Sequence, residues 1–372
     1  MKKFTKLALI SSMAISANAM AMQAMDDSAL SATTGQDGIN IGIGISRVTI
    51  DKLFVHDNDG LAEDATNTYI PMNPGTPASA VSKPIIGGSG DAGAIVIQGV
   101  TDPTRARTIT LTSLNNAGTT TISNANQAIF IGANYSDGGA YLLNTGNLAD
   151  LQIDADGSAD GAFLNIAAQV SGLEIHIGEI GVAESNTYTA GAVQRGAKLT
   201  GADKNYNAIL SGLSIKTGQM SANVQLGAAP QGAMIKLDTT MIGGLVIEGL
   251  GILDNSTAGD AVAAGVTTDG PGEIYIESIK VTDANSANLK IKQNVEVFGS
   301  STANKGFIKI TSESGAHDIY VKGVHLGSYT RPTTATPNPT QSTSIGDIEI
   351  QGMQTFHGTG YTPGSVLTIS GH

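Results

Sequence analysis

The chain has 372 residues and carries 32 acidic against 20 basic side chains, a net charge of −12 with histidine neutral. Such acidity leaves no electrostatic basis for binding nucleic acid or an anionic membrane surface, and the absence of cysteine excludes disulfides, thiolate chemistry and a lipidated N-terminal cysteine. Apolar residues make up 41% but aromatics only 4%, and the 47 glycines follow no three-residue period, so collagen is excluded and short strands of Ile, Val, Leu and Ala between tight turns are expected.

Residues 1–21, MKKFTKLALISSMAISANAMA, join a basic start to a short apolar run from Leu7 to Ile15 and to small residues in two A-x-A arrangements, Ala17-Asn18-Ala19 and Ala19-Met20-Ala21. They read as a bacterial secretory signal peptide. The apolar run is too short for a membrane anchor, which needs about 20 residues, and no later segment reaches that length. No transmembrane span is expected. Losing Lys2, Lys3 and Lys6 with the signal leaves 17 basic against 32 acidic residues, a net charge of −15. The expected location is outside the cytoplasm: the cell surface, a fimbrium or the periplasm.

Residues 22–56 form an N-terminal segment. A short helix is expected to start at Asp26 or Asp27 as N-cap and to end before Gly35. In INIGIGISRVTIDKLFV, Ile39, Ile41, Ile43 and Ile45 then alternate with Asn or Gly. Such a strand completes a sheet within its own chain or, if donated, along the open edge of a neighbour.

The run M-x-x-M-D-D-S-x-L-S-x-x-T-G-Q-D-G-I from Met22 to Ile39, taken with the Ile-Gly alternation, resembles the FilA-like pilus-system proteins of Acinetobacter and its relatives. The resemblance is specific over about residues 20–50 and diffuse beyond. It implies a surface or fimbrial role and brings no catalytic residues with it.

Residues 57–91 are a loop-rich insertion punctuated by Pro71, Pro74, Pro77 and Pro84. Residues 92–372 read as a repetitive all-β domain. Strands are expected at 93–100, 107–114, 120–124, 127–133, 140–144 and 149–156. A larger unit of two alternating segments around a glycine-bearing turn occupies 161–182, 232–253 and 306–327. Its most constant piece appears as Gly172-Leu173-Glu174-Ile175, Gly212-Leu213-Ser214-Ile215 and Gly244-Leu245-Val246-Ile247. Looser copies are Glu273-Ile274-Tyr275-Ile276, Asp318-Ile319-Tyr320-Val321 and Asp347-Ile348-Glu349-Ile350. The steps between copies run from 29 to 45 residues, a loose repeat of about 30. An elongated β-solenoid or β-roll is expected, with a β-sandwich as the alternative. Ile235, Leu237, Leu245 and Ile247 should point inward. Glu174 and His176, Lys236 and Asp238, Lys290 and Lys292, and Glu349 and Gln351 should face water.

Two aspartate-rich stretches are weak calcium candidates, Asp57 with Asp59, and Asp154 with Asp156 and Asp160. Carboxylates at alternating positions before a glycine resemble part of an EF-hand loop, but position one would fall on Val55 or Gln152 and the terminal Glu is missing. Plain Asx turns are the alternative. His317 and His325 lack any close ligand spacing for zinc. No other cofactor is expected.

No nucleophile elbow or dinucleotide fingerprint occurs. An enzyme is not expected; the enzymatic alternative is a β-helix polysaccharide-degrading enzyme using carboxylates such as Glu174, Glu179, Asp238 and Glu248. The sequence favours a structural or adhesive component of a pilus-like system. Its expected partners are other pilus or outer-membrane assembly proteins and further copies of itself. A non-polymeric glycan-binding protein of the periplasm or surface is the other binding class.

Overall fold

The computed structural model describes residues 38–62, 66–68, 82–84, 87–102, 105–106, 108–112, 119–123, 127–157, 161–256, 272–300, 306–327 and 344–370. The expected helix after residue 26 lies outside them. Within them the chain makes eight passes back and forth between two large sheets, here called A and B.

The first pass is β1 (Ile39–Ile43), β2 (Arg47–Ile50) and β3 (Lys52–Asp57), followed by a small hairpin, β4 (Thr66–Thr68) with β5 (Ser82–Pro84). The second returns through β6 (Gly93–Gln98), a hairpin of β7 (Thr108–Thr112) and β8 (Thr119–Ser123), then β9 (Ile129–Ala133) and β10 (Ala149–Asp156). The third is β11 (Phe163–Val170), β12 (Leu173–Ile177) and β13 (Glu179–Glu184); the fourth is β14 (Asn207–Leu210), β15 (Leu213–Lys216) and β16 (Met220–Gly227). Longer strands make the next three: β17 (Ile235–Met241) with β18 (Leu245–Asp254), β19 (Gly272–Asp283) with β20 (Leu289–Phe298), and β21 (Phe307–Ser312) with β22 (His317–Gly327). The eighth is β23 (Gly346–Met353), a short hairpin of β24 (Phe356–His357) and β25 (Thr362–Pro363), and β26 (Ser365–Ser370).

Sheet A runs β1-β10-β11-β16-β17-β20-β21-β26, and the spine of sheet B runs β2-β9-β12-β15-β18-β19-β22-β23. Both therefore follow chain order. A wing of sheet B continues from β18 through β14, β13, β6 and β3. Among the described residues every strand pairing is antiparallel, whereas successive coils of a solenoid run in one direction and pair in parallel. The expected solenoid is thus corrected to a sandwich-like arrangement of two antiparallel sheets; the all-β class holds. The repeated two-strand unit is also not a hairpin. In each copy the first strand joins sheet A and the second joins sheet B.

Cross-strand register explains why these residues recur. In sheet A one row passes through Ile39, Ile153, Ile166, Val224, Ile235, Val295, Ile310 and Leu367, one residue from each strand. In the spine of sheet B the row is Val48, Ile131, Ile175, Ile215, Ile247, Ile279, Val321 and Ile348. The wing adds Leu53, Ile97, Ile180, Leu210, Ile252, Ile274 and Leu326. β-Branched residues packed across neighbouring strands are the unit of sheet stability. Ile235, Leu237, Leu245 and Ile247 are half-buried, while Lys236 and Asp238 beside them are exposed.

Spine and wing join at a bend marked by a skip in the alternation. Apolar positions fall at 245, 247, 250 and 252 in β18, at 274, 276, 279 and 281 in β19, and at 319, 321, 324 and 326 in β22. One extra residue at each skip keeps both halves apolar on the same face, as a bulge does. Gly249 and Gly323 occupy skips with φ of 69° and 65°, a conformation that glycine adopts without steric cost.

Residues 140–144, expected as a strand, are a turn. Leu142 N–H donates to Gly139 O and Gly146 N–H to Leu143 O, after a 3-10 turn at Ser136–Gly139. The insertion at 57–91 contains the β4–β5 hairpin among its described residues.

Candidate functional site

The calcium candidates are not gathered into a loop. Asp57 ends β3 and Asp59 follows in a bend, whereas Asp154 and Asp156 lie within β10, opposite Asn165 and Phe163. The alternation of Leu151, Ile153 and Ala155 carries the strand expected at 149–156 through the second pair, so the alternative Asx turn does not form at Asp154. Asp160 lies outside the described residues. Among the described residues no three His, Asp or Glu side chains converge as metal ligands.

Of the four carboxylates of the enzymatic alternative, two come together and two stand apart. Glu174 and Glu248 share Lys216, whose Nζ lies 3.9 and 3.0 Å from them. Asp238 sits in sheet A, 3.7 Å from Lys292. Glu179 is fully buried at the start of β13, where it accepts hydrogen bonds from Thr101 Oγ1 at 2.8 Å and the Tyr206 hydroxyl at 2.9 Å. Burial first, and then the Glu179 charge, raise the Tyr206 phenol far above its ordinary range.

His176, expected at the surface, is buried instead. His176 Nδ1 lies 2.6 Å from Ser214 Oγ, and its Nε2 lies 3.3 Å from Glu174 Oε1. These are the residue types of a nucleophilic triad. However, Ser214 is 3% exposed and His176 5% exposed, directly opposite each other on paired strands beside the Phe130 ring. A hydroxyl so enclosed cannot meet a substrate carbonyl; the His176–Ser214 contact bridges β12 and β15, while His176 Nε2 makes no hydrogen bond. His325 is likewise buried, with Nε2 3.0 Å from Glu277 Oε1; His317 is at the opposite end of β22, 3.6 Å from Asp283. Their burial depends on cross-strand neighbours, which a local sequence pattern does not name.

At the end of the wing an open cleft of about 540 Å³ is bordered by His56, Asp57, Asp91 and Glu184. His56 Nδ1 lies 2.7 Å from Ser185 Oγ, which donates to Gly93 O. That serine's proton is already committed to a carbonyl, so the pair is not an activated nucleophile. Burial and then the Arg195 charge lower the His56 pKa.

Among the described residues, the strands at the sheet ends pair on one side only. β1 and β26 are the edges of sheet A, and β2 and β23 end the spine of sheet B. Apolar side chains project there into solvent: Ile39 is 62% exposed, Leu367 56% and Ile348 51%. β23 is exposed along its whole length. Natural proteins usually blunt such edges, because unpaired N–H and C=O groups template further strands. Two aspartates hold this last strand. Asp347 accepts the Tyr320 hydroxyl at 2.6 Å and the Gly323 N–H at 2.8 Å, while Asp318 accepts the N–H groups of Asn285 and Gly352 at 2.9 and 2.8 Å. Those hydrogen bonds lower both carboxyl pKa values, Tyr320 leading for Asp347 and the Asn285 amide for Asp318.

Among the described residues no helix is long and apolar enough to cross a membrane. No curated protein and no solved structure matches the chain. Residues 1–71 match a family described as a family of unknown function (DUF6160).

Proposed function

We propose that this chain is an exported structural component of a bacterial cell-surface, pilus-like assembly, joined to its neighbours through strand edges and without chemical turnover. The observation that carries the reading is the pair of open ends. Each presents two edge strands whose apolar side chains are solvated, a surface suited to strand addition. Buried histidines that bond across strands support a scaffold over an active site. The signal-like N-terminus and the resemblance of residues 20–50 to pilus-system proteins support export and surface placement.

Fractionation and immunogold electron microscopy test the proposal. The antibody is expected to label surface filaments or their bases, and a deletion strain is expected to lose or shorten them. A chain confined to soluble periplasm, with filaments unchanged in the deletion strain, would overturn it.

A further inference from the structure

We infer that the two ends of the molecule fit each other, so that copies stack head to tail with both sheets continuing across the junction. The inference rests on the reading of this chain as an assembly component and names the partner of its open edges as a second copy of the same chain.

Strand direction is the first argument. Sheet A has eight strands and the spine of sheet B has eight, each antiparallel to its neighbours. With an even number, the last strand in each sheet opposes the first in direction. A copy in the same orientation therefore brings β1 against β26 and β2 against β23, both antiparallel. An odd number would have produced parallel junctions. One unrelated donated strand would fill only one edge, whereas a second copy supplies both strands, joined through residues 44–46.

Register is the second. The row of sheet A ends in exposed Ile39 and exposed Leu367, and that of the spine ends in exposed Val48 and exposed Ile348. Placing Ile348 opposite Val48 of the next copy extends the spine row without a break, and Leu367 opposite Ile39 does the same in sheet A.

Charge is the third and is independent of the apolar rows. On the other face of the spine, a polar row runs Arg47, Gly132, Glu174, Lys216, Val246, Lys280, Tyr320 and Glu349. It begins with a cation and ends with an anion, both exposed. The antiparallel register that pairs Ile348 with Val48 puts Glu349 directly opposite Arg47 of the next copy. Opposite charges at directly opposed positions favour pairing, and like charges oppose it.

The cysteine-free chain makes the test direct. Val48→Cys with Ile348→Cys in one full-length chain is expected to give a ladder of disulfide-linked multimers on mild oxidation. Val48→Cys with Glu349→Cys moves one thiol to the opposite face and is expected to give none. In the cysteine-free background, Arg47→Glu should weaken self-association in sedimentation velocity about tenfold, the swing from cross-strand attraction to repulsion. Adding Glu349→Arg should restore it, a rescue that general misfolding would not allow. A strictly monomeric chain without cross-links overturns the inference, as does equal cross-linking of both cysteine pairs. A chain found in surface filaments that fails these tests overturns the stacking alone. One that stacks as stated yet never reaches a surface structure overturns only the functional reading.

Discussion

Tyr206 donates its phenol hydrogen to the fully buried carboxylate of Glu179 at 2.9 Å. Only Thr101 Oγ1 also donates to that carboxylate oxygen among the described residues. Tyr206→Phe leaves the carboxylate in place and removes one of these donors, which should cost about 1–3 kcal/mol in urea unfolding. The pH dependence has a definite sign. The Tyr206 pKa is raised above the ordinary 10.0, so its contribution is whole below that value and is lost as pH rises through the folded-state pKa. Wild-type protein should therefore lose more stability than Tyr206→Phe between about pH 10 and 12. Parallel losses would contradict the assignment.

Ile247 lies between Ile215 and Ile279 in the spine row, whereas Glu248 reaches across the polar face to Lys216 at 3.0 Å. Ile247→Asp sets a carboxylate between two isoleucines and should cost about 2–4 kcal/mol. Glu248→Gln weakens a partly exposed ion pair and should cost less than about 1 kcal/mol. Denaturant midpoints compare the two variants, and equal shifts would contradict the face assignment.

These rows also show what is legible in the sequence. Aligning the glycine-led pieces at 172, 212 and 244 superposes Ile175, Ile215 and Ile247, the same three residues that register puts in one row. The alignment slips at Ile276, because β19 has two apolar phases separated at Glu277 and the row passes through Ile279. That skip is itself a sequence signal: Val48, Ile50, Leu53 and Val55 show it, as do Ile175, Ile177, Ile180 and Val182. Pairing is not legible. A strand that turns back on its predecessor and one that crosses to another sheet have the same period of two. The burial of His176 is hidden for the same reason, since Phe130 and Ser214 become its neighbours only through long-range register.

Asp318 and Asp347 make the last strand of the spine sensitive to acid. Each carboxylate accepts a hydrogen bond from a backbone N–H near a register shift between β22 and β23, and each pKa lies below the ordinary 3.8. Depressed carboxylate pKa values contribute stability that is present above the ordinary value and is lost as pH falls through the folded one. Hydrogen exchange at Gly323 and Gly352 should accelerate, relative to the amides of β11, as pH drops from about 4 to 2 after correction for intrinsic rates. Asp347→Asn should show faster exchange at Gly323 already at neutral pH. Unchanged protection in that variant would remove Asp347 from this role.

Gly323 tests the bend between spine and wing. Its φ is 65°, and a Cβ there would lie 2.4 Å from Glu277 Cδ. Alanine would thus be strained in its backbone and would push away the carboxylate that meets His325 at 3.0 Å. Gly323→Ala should lower stability by about 1–3 kcal/mol. Gly315 is the control: it has no left-handed φ, and a Cβ there would meet open space, so Gly315→Ala should stay within about 0.5 kcal/mol of wild type. Because the skip recurs in adjacent strands, strain at Gly323 should also reach β19, and the amides of Glu277 and Ser278 should lose exchange protection in Gly323→Ala alone. If both alanine variants unfold at the wild-type midpoint, the bend tolerates a side chain and the glycine is not what shapes it.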